Sequence, residues 1–175
     1  EPDTNQEMNE EEIFGCSGAS VMFRMEHLKK VAFHNPVTQK LEFFDEDMFM
    51  YKEDVELAFR LRWGGFSAFL NPHAIAYHDR TASKTSLMQR KKAKSLFVRK
   101  HSLINQLILE NRHFSKDFSW RVKIAHFLFS FSRFIYIFLF ERELLNGYKE
   151  FKKLKTNKPS KRLITAQEME KWLHG

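Results

Sequence analysis

The chain has few of the residues that tie or bend a backbone: one cysteine, four prolines and six glycines among 175 residues. A lone Cys16 bars an internal disulfide and argues for a reducing compartment. No Cys-x-x-Cys and no closely spaced histidine pair occurs, which removes the common zinc frameworks. No glycine run of the phosphate-cradling kind is present, and no internal repeat. No secretory leader is visible, but the chain opens on Glu1, so that observation carries no weight. What the chain does have is an apolar fraction of 43%, an aromatic fraction of 15% and 19 phenylalanines, enough for one domain with a modest core.

Charge comes in blocks. Residues 1–12 hold six acids and no base and read as an acidic loop, which leaves 29 basic against 16 acidic residues in the remainder. Basic residues gather at Lys84, Arg90, Lys91, Lys92, Lys94, Arg99 and Lys100, a solvated helix face in the plainest reading. They gather again in a tail at Lys149, Lys152, Lys153, Lys155, Lys158, Lys161 and Arg162, where a partner of negative charge is expected.

Residues 53–78 carry the clearest local pattern. Leu57, Ala58, Phe59 and Leu61 recur at helical spacing, and Glu53, Asp54 and Glu56 crowd the first turn, where the helix dipole favours negative charge. Gly64-Gly65 stops the helix. Phe66 to Leu70 and Ala74 to His78 then read as two short strands about an Asn71-Pro72 turn. This layout is expected to put a carboxylate and an imidazole in one cleft. Spacing alone also fits a solvated helix end and a structural histidine.

The run Phe44 to Ser83 resembles the C-terminal half of the catalytic domain of family 2 glycosyltransferases, especially the bacterial rhamnosyltransferase-like branch. The residues that carry the resemblance are Phe44-Asp45-Glu46, Phe49, Tyr51, Glu53-Asp54, Leu57, Arg60-Leu61-Arg62, Gly65, Pro72 and His78. Upstream, Gly15-Cys16-Ser17-Gly18-Ala19 with Met22-Phe23-Arg24 is similar to the small-residue segment and following strand of that family. Downstream, Val98 to Ser102 resembles its basic-polar helix.

The resemblance implies a GT-A (Rossmann-like) α/β domain of which this chain is the C-terminal half, followed by a mainly α-helical, membrane-associating tail. It implies an inverting transferase using a nucleoside-diphosphate sugar and a surface-glycan or polyprenyl-linked acceptor. Asp54 matches the general base and Glu53 a supporting acid. His78 matches a position that completes the coordination of a divalent metal, Mn²⁺ or Mg²⁺, held mainly by the missing N-terminal half. Gly15, Cys16, Ser17, Gly18 and Arg60 are expected near the sugars. The upstream nucleotide-binding half is not in this sequence, so the isolated chain is expected to be inactive. Asp45-Glu46-Asp47 spells Asp-x-Asp but matches the Phe-Asp-Glu stretch and not the metal motif.

Ile124 to Phe140 is nearly all apolar, yet Lys123, His126, Ser130 and Arg133 fall on one helical stripe. The run is short for a spanning helix, which needs about 20 apolar residues. It suits a helix lying in a membrane interface, with Trp120 and Tyr136 at headgroup depth, Arg133 a membrane contact on its polar stripe, and Lys152 and Lys153 drawn to an anionic surface on the cytoplasmic face. Burial of the helix against the domain is the competing reading.

The chain is thus expected to divide into an acidic loop (1–12), the acceptor and catalytic half (13–85), a basic helical extension (86–118) and an aromatic helix with a basic tail (119–175). Within it a strand is expected at Ser20 to Arg24, a short helix at Glu26 to Val31 and a long helix at Ser86 to Asn111. Two other functions fit the composition. One is a non-catalytic membrane adaptor. The other is a basic nucleic-acid-binding module, which lacks any recognisable motif and has its phenylalanines away from the basic clusters.

Overall fold

The computed structural model describes residues 10–35, 37–77, 95–154, 158 and 160–173. They form a mixed α/β fold, about half helical, with two small antiparallel sheets. The elements are β1 (Glu11–Ile13), α1 (Met25–Val31), β2 (Phe33–His34), β3 (Leu41–Glu42), α2 (Glu53–Trp63), β4 (Ala68–Leu70), α3 (Leu96–His113), α4 (Trp120–Phe140), a single 3-10 turn (Arg142–Leu144), α5 (Leu145–Lys153) and α6 (Ala166–Glu170). Strand β1 pairs with β4, Glu12 opposite Phe69, and β2 pairs with β3.

Helix α2 organises the rest. Its end is a Schellman motif: the Gly65 N–H donates to Arg62 O at 2.8 Å and the Phe66 N–H to Leu61 O at 3.0 Å. Gly65 sits at φ +75°, where a side chain would be strained. Leu57 joins Leu28 and Val31 of α1, Phe59 packs toward α3, and Trp63 anchors a cluster with Phe118, Val122, Ala166 and Met169. The apolar spacing of α2 correctly picks out Leu57 and Ala58, but the deepest side chains on the helix include two ions. Arg60 donates to Glu56 at 2.7 Å, to Val31 O at 2.9 Å and to Phe43 O at 2.6 Å. Each of its three nitrogens has a partner, two backbone carbonyls and one carboxylate, which is how a guanidinium is tolerated at 1% exposure.

Three expected elements differ. Ser20 to Arg24 is a loop and not a strand; the segment that pairs with β4 is β1, ahead of it. Ala74 to Tyr77 forms no strand: the Asn71 turn is made, with His73 N–H on its side chain at 2.9 Å, but Ile75 and Tyr77 beyond it are 74% and 92% exposed and have no face to bury. Glu11 and Glu12 belong to a strand and not to a loose acidic loop, and Glu12 meets Arg62 at 2.6 Å. The first part of the expected basic helix, from Ser86, lies outside the described residues; the rest is α3, capped by Ser95.

The tail does not wait for a partner at every charge. Lys158 Nζ lies 2.7 Å from Glu42, 2.9 Å from Asp45 and 3.2 Å from Asp47. Arg112 pairs with Asp45 and Asp47 from the other side. Burial pushes the Asp45 carboxyl up, but Arg112 and Lys158 together reverse this and hold it below its ordinary value. Arg162 lies over the Trp63 ring at 4.3 Å, and Leu163 N–H donates to Trp63 O at 2.7 Å. Arg162, Leu163 and Ile164 therefore strap the end of α2.

Candidate active site

The N-terminus of α2 is delivered by strained backbone. Tyr51 and Lys52 have φ of 65° and 70°, left-handed conformations that cost non-glycine residues on the order of 1–3 kcal/mol each. Asn105 of α3, 1% exposed, holds this turn by donating its side-chain amide to Met50 O at 2.6 Å and Tyr51 O at 2.8 Å. Lys52 Nζ reaches Gln106 on the same helix. Sequence reading missed Asn105 and Gln106; a polar residue one turn from apolar neighbours on α3 was the available signal.

Pairing of β1 with β4 brings residues 15–18 over α2. The Gly18 N–H donates to Asp54 Oδ2 at 3.0 Å, and the Val55 N–H to Asp54 Oδ1 at 2.8 Å, so both carboxylate oxygens are oriented by backbone. Gly15 is required by contact: a Cβ there would stand 2.3 Å from the Ala58 Cβ. Asp54 is half-buried and lines two adjoining hollows. One, of about 360 Å³, includes Gly15, Cys16, Phe23, His27 and Phe66; the other, of about 590 Å³, includes Ser17, Gly18, Phe44, Tyr51 and Glu53. Glu53 Oε2 is buried without a partner among the described residues, beside Asp54.

Gly15→Ala is therefore expected to cost about 1–3 kcal/mol through overpacking. Ala58→Gly in the same chain should recover part of that loss despite its own helix penalty, so the two changes couple. Urea unfolding of the two single variants and the double checks it, and additive losses would refute the contact.

Of the site residues expected from sequence, Gly15, Cys16, Ser17, Gly18, Glu53 and Asp54 come together. Arg60 does not: it is closed into the core by Glu56, Val31 O and Phe43 O, because the i, i+4 spacing to Glu56 turns it away from the cleft. His78 lies outside the described residues. Asp45 and Asp47 are occupied by Arg112 and Lys158. Among the described residues no group of three His, Cys, Asp or Glu side chains could hold a metal ion, so the divalent metal implied by the resemblance finds no ligand cage there.

The second set of expected residues lies along α4. This helix runs 21 residues, four longer at its start than the apolar run suggests, and is long and apolar enough by composition to cross a membrane. Of its polar stripe, His126, Ser130 and Arg133 face the protein, while Lys123 is exposed. Arg133 meets both oxygens of Glu110 on α3 at 2.5 and 2.7 Å, Ser130 stands 3.4 Å from Arg133, and His126 stacks on Phe114 at 4.1 Å. Arg133 is thus an inward residue and not a membrane contact, drawn by the buried carboxylate of Glu110. Phe127, Phe131, Phe138 and Phe140 point outward, with Trp120 at 66% and Tyr136 at 40% exposure. Lys152 and Lys153 are exposed in the last turn of α5. Arg99 and Lys100 are taken by Glu141 and Glu150.

Comparison with protein-family models, with curated proteins and with solved structures finds no match to this chain.

Proposed function

We propose that this chain supplies the acceptor side of a membrane-associated, inverting glycosyltransferase of the GT-A type. The observation that carries this reading is Asp54, a carboxylate oriented at both oxygens by the Gly18 and Val55 N–H groups at the junction of two hollows. A fixed carboxylate of this kind takes the proton from an acceptor hydroxyl as that oxygen attacks the anomeric carbon of a nucleoside-diphosphate sugar. The bond from that carbon to the diphosphate breaks, the diphosphate leaves with the electron pair, and the configuration inverts. The exposed rings of Phe44 and Tyr51 beside Glu53 and Asp54 give a surface on which a sugar ring can rest. The resemblance favours a deoxyhexose such as rhamnose as the donor sugar and a surface glycan or lipid-linked glycan as the acceptor.

The outward aromatic face of α4 supports attachment to the cytoplasmic face of a membrane. Lys149, Lys152, Lys153 and Lys161 are exposed and add about 1 kcal/mol each near an anionic leaflet. That same face favours a second reading, a membrane adaptor without catalysis. Transfer assays on the complete enzyme separate the two: sugar transfer that depends on Asp54 supports the first, and vesicle binding with no transfer from any nucleoside-diphosphate sugar supports the second.

Vesicle flotation checks the shared part. The chain is expected to float with anionic vesicles more than with neutral ones, and less so as salt rises. Phe127→Ser, Phe131→Ser and Phe138→Ser together should abolish flotation, since each buried ring is worth about 1.5–3 kcal/mol. Unchanged flotation of that triple variant would contradict the membrane face.

A further inference from the structure

Apart from the two hollows at Asp54, a pocket of about 340 Å³ lies between α3 and α4, lined by Phe59, Leu109, His113, Val122, Ala125 and Phe129 among others. Its size and its apolar walls with few polar groups are those of a small-molecule site. Ala125 and Phe129 belong also to the exposed side of α4, so the pocket opens on the apolar face of that helix. The charged group in the wall is neutralised: Glu110 is held at both oxygens by Arg133. A free anion or cation finds no counter-charge there.

Two imidazole nitrogens in the wall have no hydrogen-bond partner among the described residues, His126 Nε2, which stands 3.7 Å from Glu110 on a partly exposed ring, and Nδ1 of the deeper His113. His113 is 2% exposed, its ring stacks on Phe59 at 4.9 Å, and its Nε2 stands 3.3 Å from Glu56 Oε1. Glu56 also accepts from Arg60, so its carboxylate is an acceptor and Nε2 carries the proton. Nδ1 is then a lone-pair acceptor, and it has no partner among the described residues. Burial keeps the ring neutral by lowering its proton affinity. A buried acceptor left unmade is costly, and an apolar ligand carrying one O–H would satisfy it.

We propose that this pocket binds one hydrocarbon chain of a bilayer lipid, with a hydroxyl on that chain donating to His113 Nδ1. The chain enters from the membrane along Ala125 and Phe129 and lies against Phe59 and Leu109. The site is separate from the Asp54 cleft and does not depend on the transferase reading; it needs only the outward face of α4.

The test is binding of methyl 3-hydroxydodecanoate and methyl dodecanoate, below the concentrations at which either aggregates, with the His113 ring nitrogens followed by long-range proton–nitrogen NMR. The hydroxylated chain should bind about tenfold more tightly than the plain one and shift the Nδ1 resonance, the factor that one satisfied buried acceptor supplies. Ala125→Phe, which fills the pocket from its open wall, should lose both ligands while still floating with vesicles. The wild-type chain on phosphatidylcholine vesicles doped with a 3-hydroxydodecanoyl lipid should show the same Nδ1 shift. Equal affinity for the two esters would remove the hydroxyl contact, and undiminished binding by Ala125→Phe would place the ligands on the open helix face. A shift with the free ester but none in vesicles would overturn the bilayer source.

Discussion

Asp54→Asn in the complete enzyme is expected to lower turnover by about 10²- to 10⁴-fold while leaving donor binding nearly unchanged. The amide keeps the size of the side chain, but its single oxygen can accept from only one of the Gly18 and Val55 N–H groups, which hold the two carboxylate oxygens at 3.0 and 2.8 Å. It loses the other contact and the ability to take a proton from the acceptor. The loss therefore belongs in kcat, with the donor KM close to normal, because the donor is not held by this carboxylate in the proposed scheme. Glu53→Gln should be milder, since Glu53 shares the hollow but has no backbone donor fixing its Oε2. Steady-state kinetics on the two variants check both statements, and near-normal turnover of Asp54→Asn would remove the base assignment.

Arg60→Met is expected to destabilise the chain by about 3–5 kcal/mol, a large share of the total stability of a domain this size. Removing the guanidinium leaves the fully buried Glu56 carboxylate with only His113 at 3.3 Å and Arg112 at 3.9 Å, and it frees the carbonyls of Val31 and Phe43 that tie α1 and the β3 loop to α2. Replacing both ions, as Glu56→Leu with Arg60→Met, should cost less than Arg60→Met alone, because a buried charge stripped of its closest partner is worse than none. Urea unfolding of the single and double variants measures the difference. A loss below about 1 kcal/mol in the single variant would mean that Arg60 is not sealed in the core.

The contrast between these two residues shows what was legible in the sequence. Helix α2 was, from its period and its Gly64-Gly65 stop, since both are local signals. Asp54 at its N-terminus and the nearness of residues 15–18 came from a resemblance, and the geometry that joins them comes from the pairing of Ile13 with Ala68, a contact across 55 residues that no local pattern encodes. Arg60 was expected near the sugars through the resemblance; the positions of Glu56, Val31 O and Phe43 O turn it inward. The stripe on α4 makes the same point. Period shows that Lys123, His126, Ser130 and Arg133 share a face, but not whether that face meets water or protein. Glu110 on α3 decides it, and its partner lies 23 residues away. The expected strand at Ala74 failed because Ile75 and Tyr77 find no face to bury.

The anomeric configuration of the first product formed by the complete enzyme tests the central claim most directly. Proton NMR, recorded during the first turnovers before any mutarotation or hydrolysis, reads the coupling at the transferred sugar's anomeric carbon. A single carboxylate base acting on the acceptor predicts the configuration opposite to that of the donor, formed by the wild-type enzyme and slowed by Asp54→Asn. Retention of configuration, or transfer equally fast in that variant, would contradict the account.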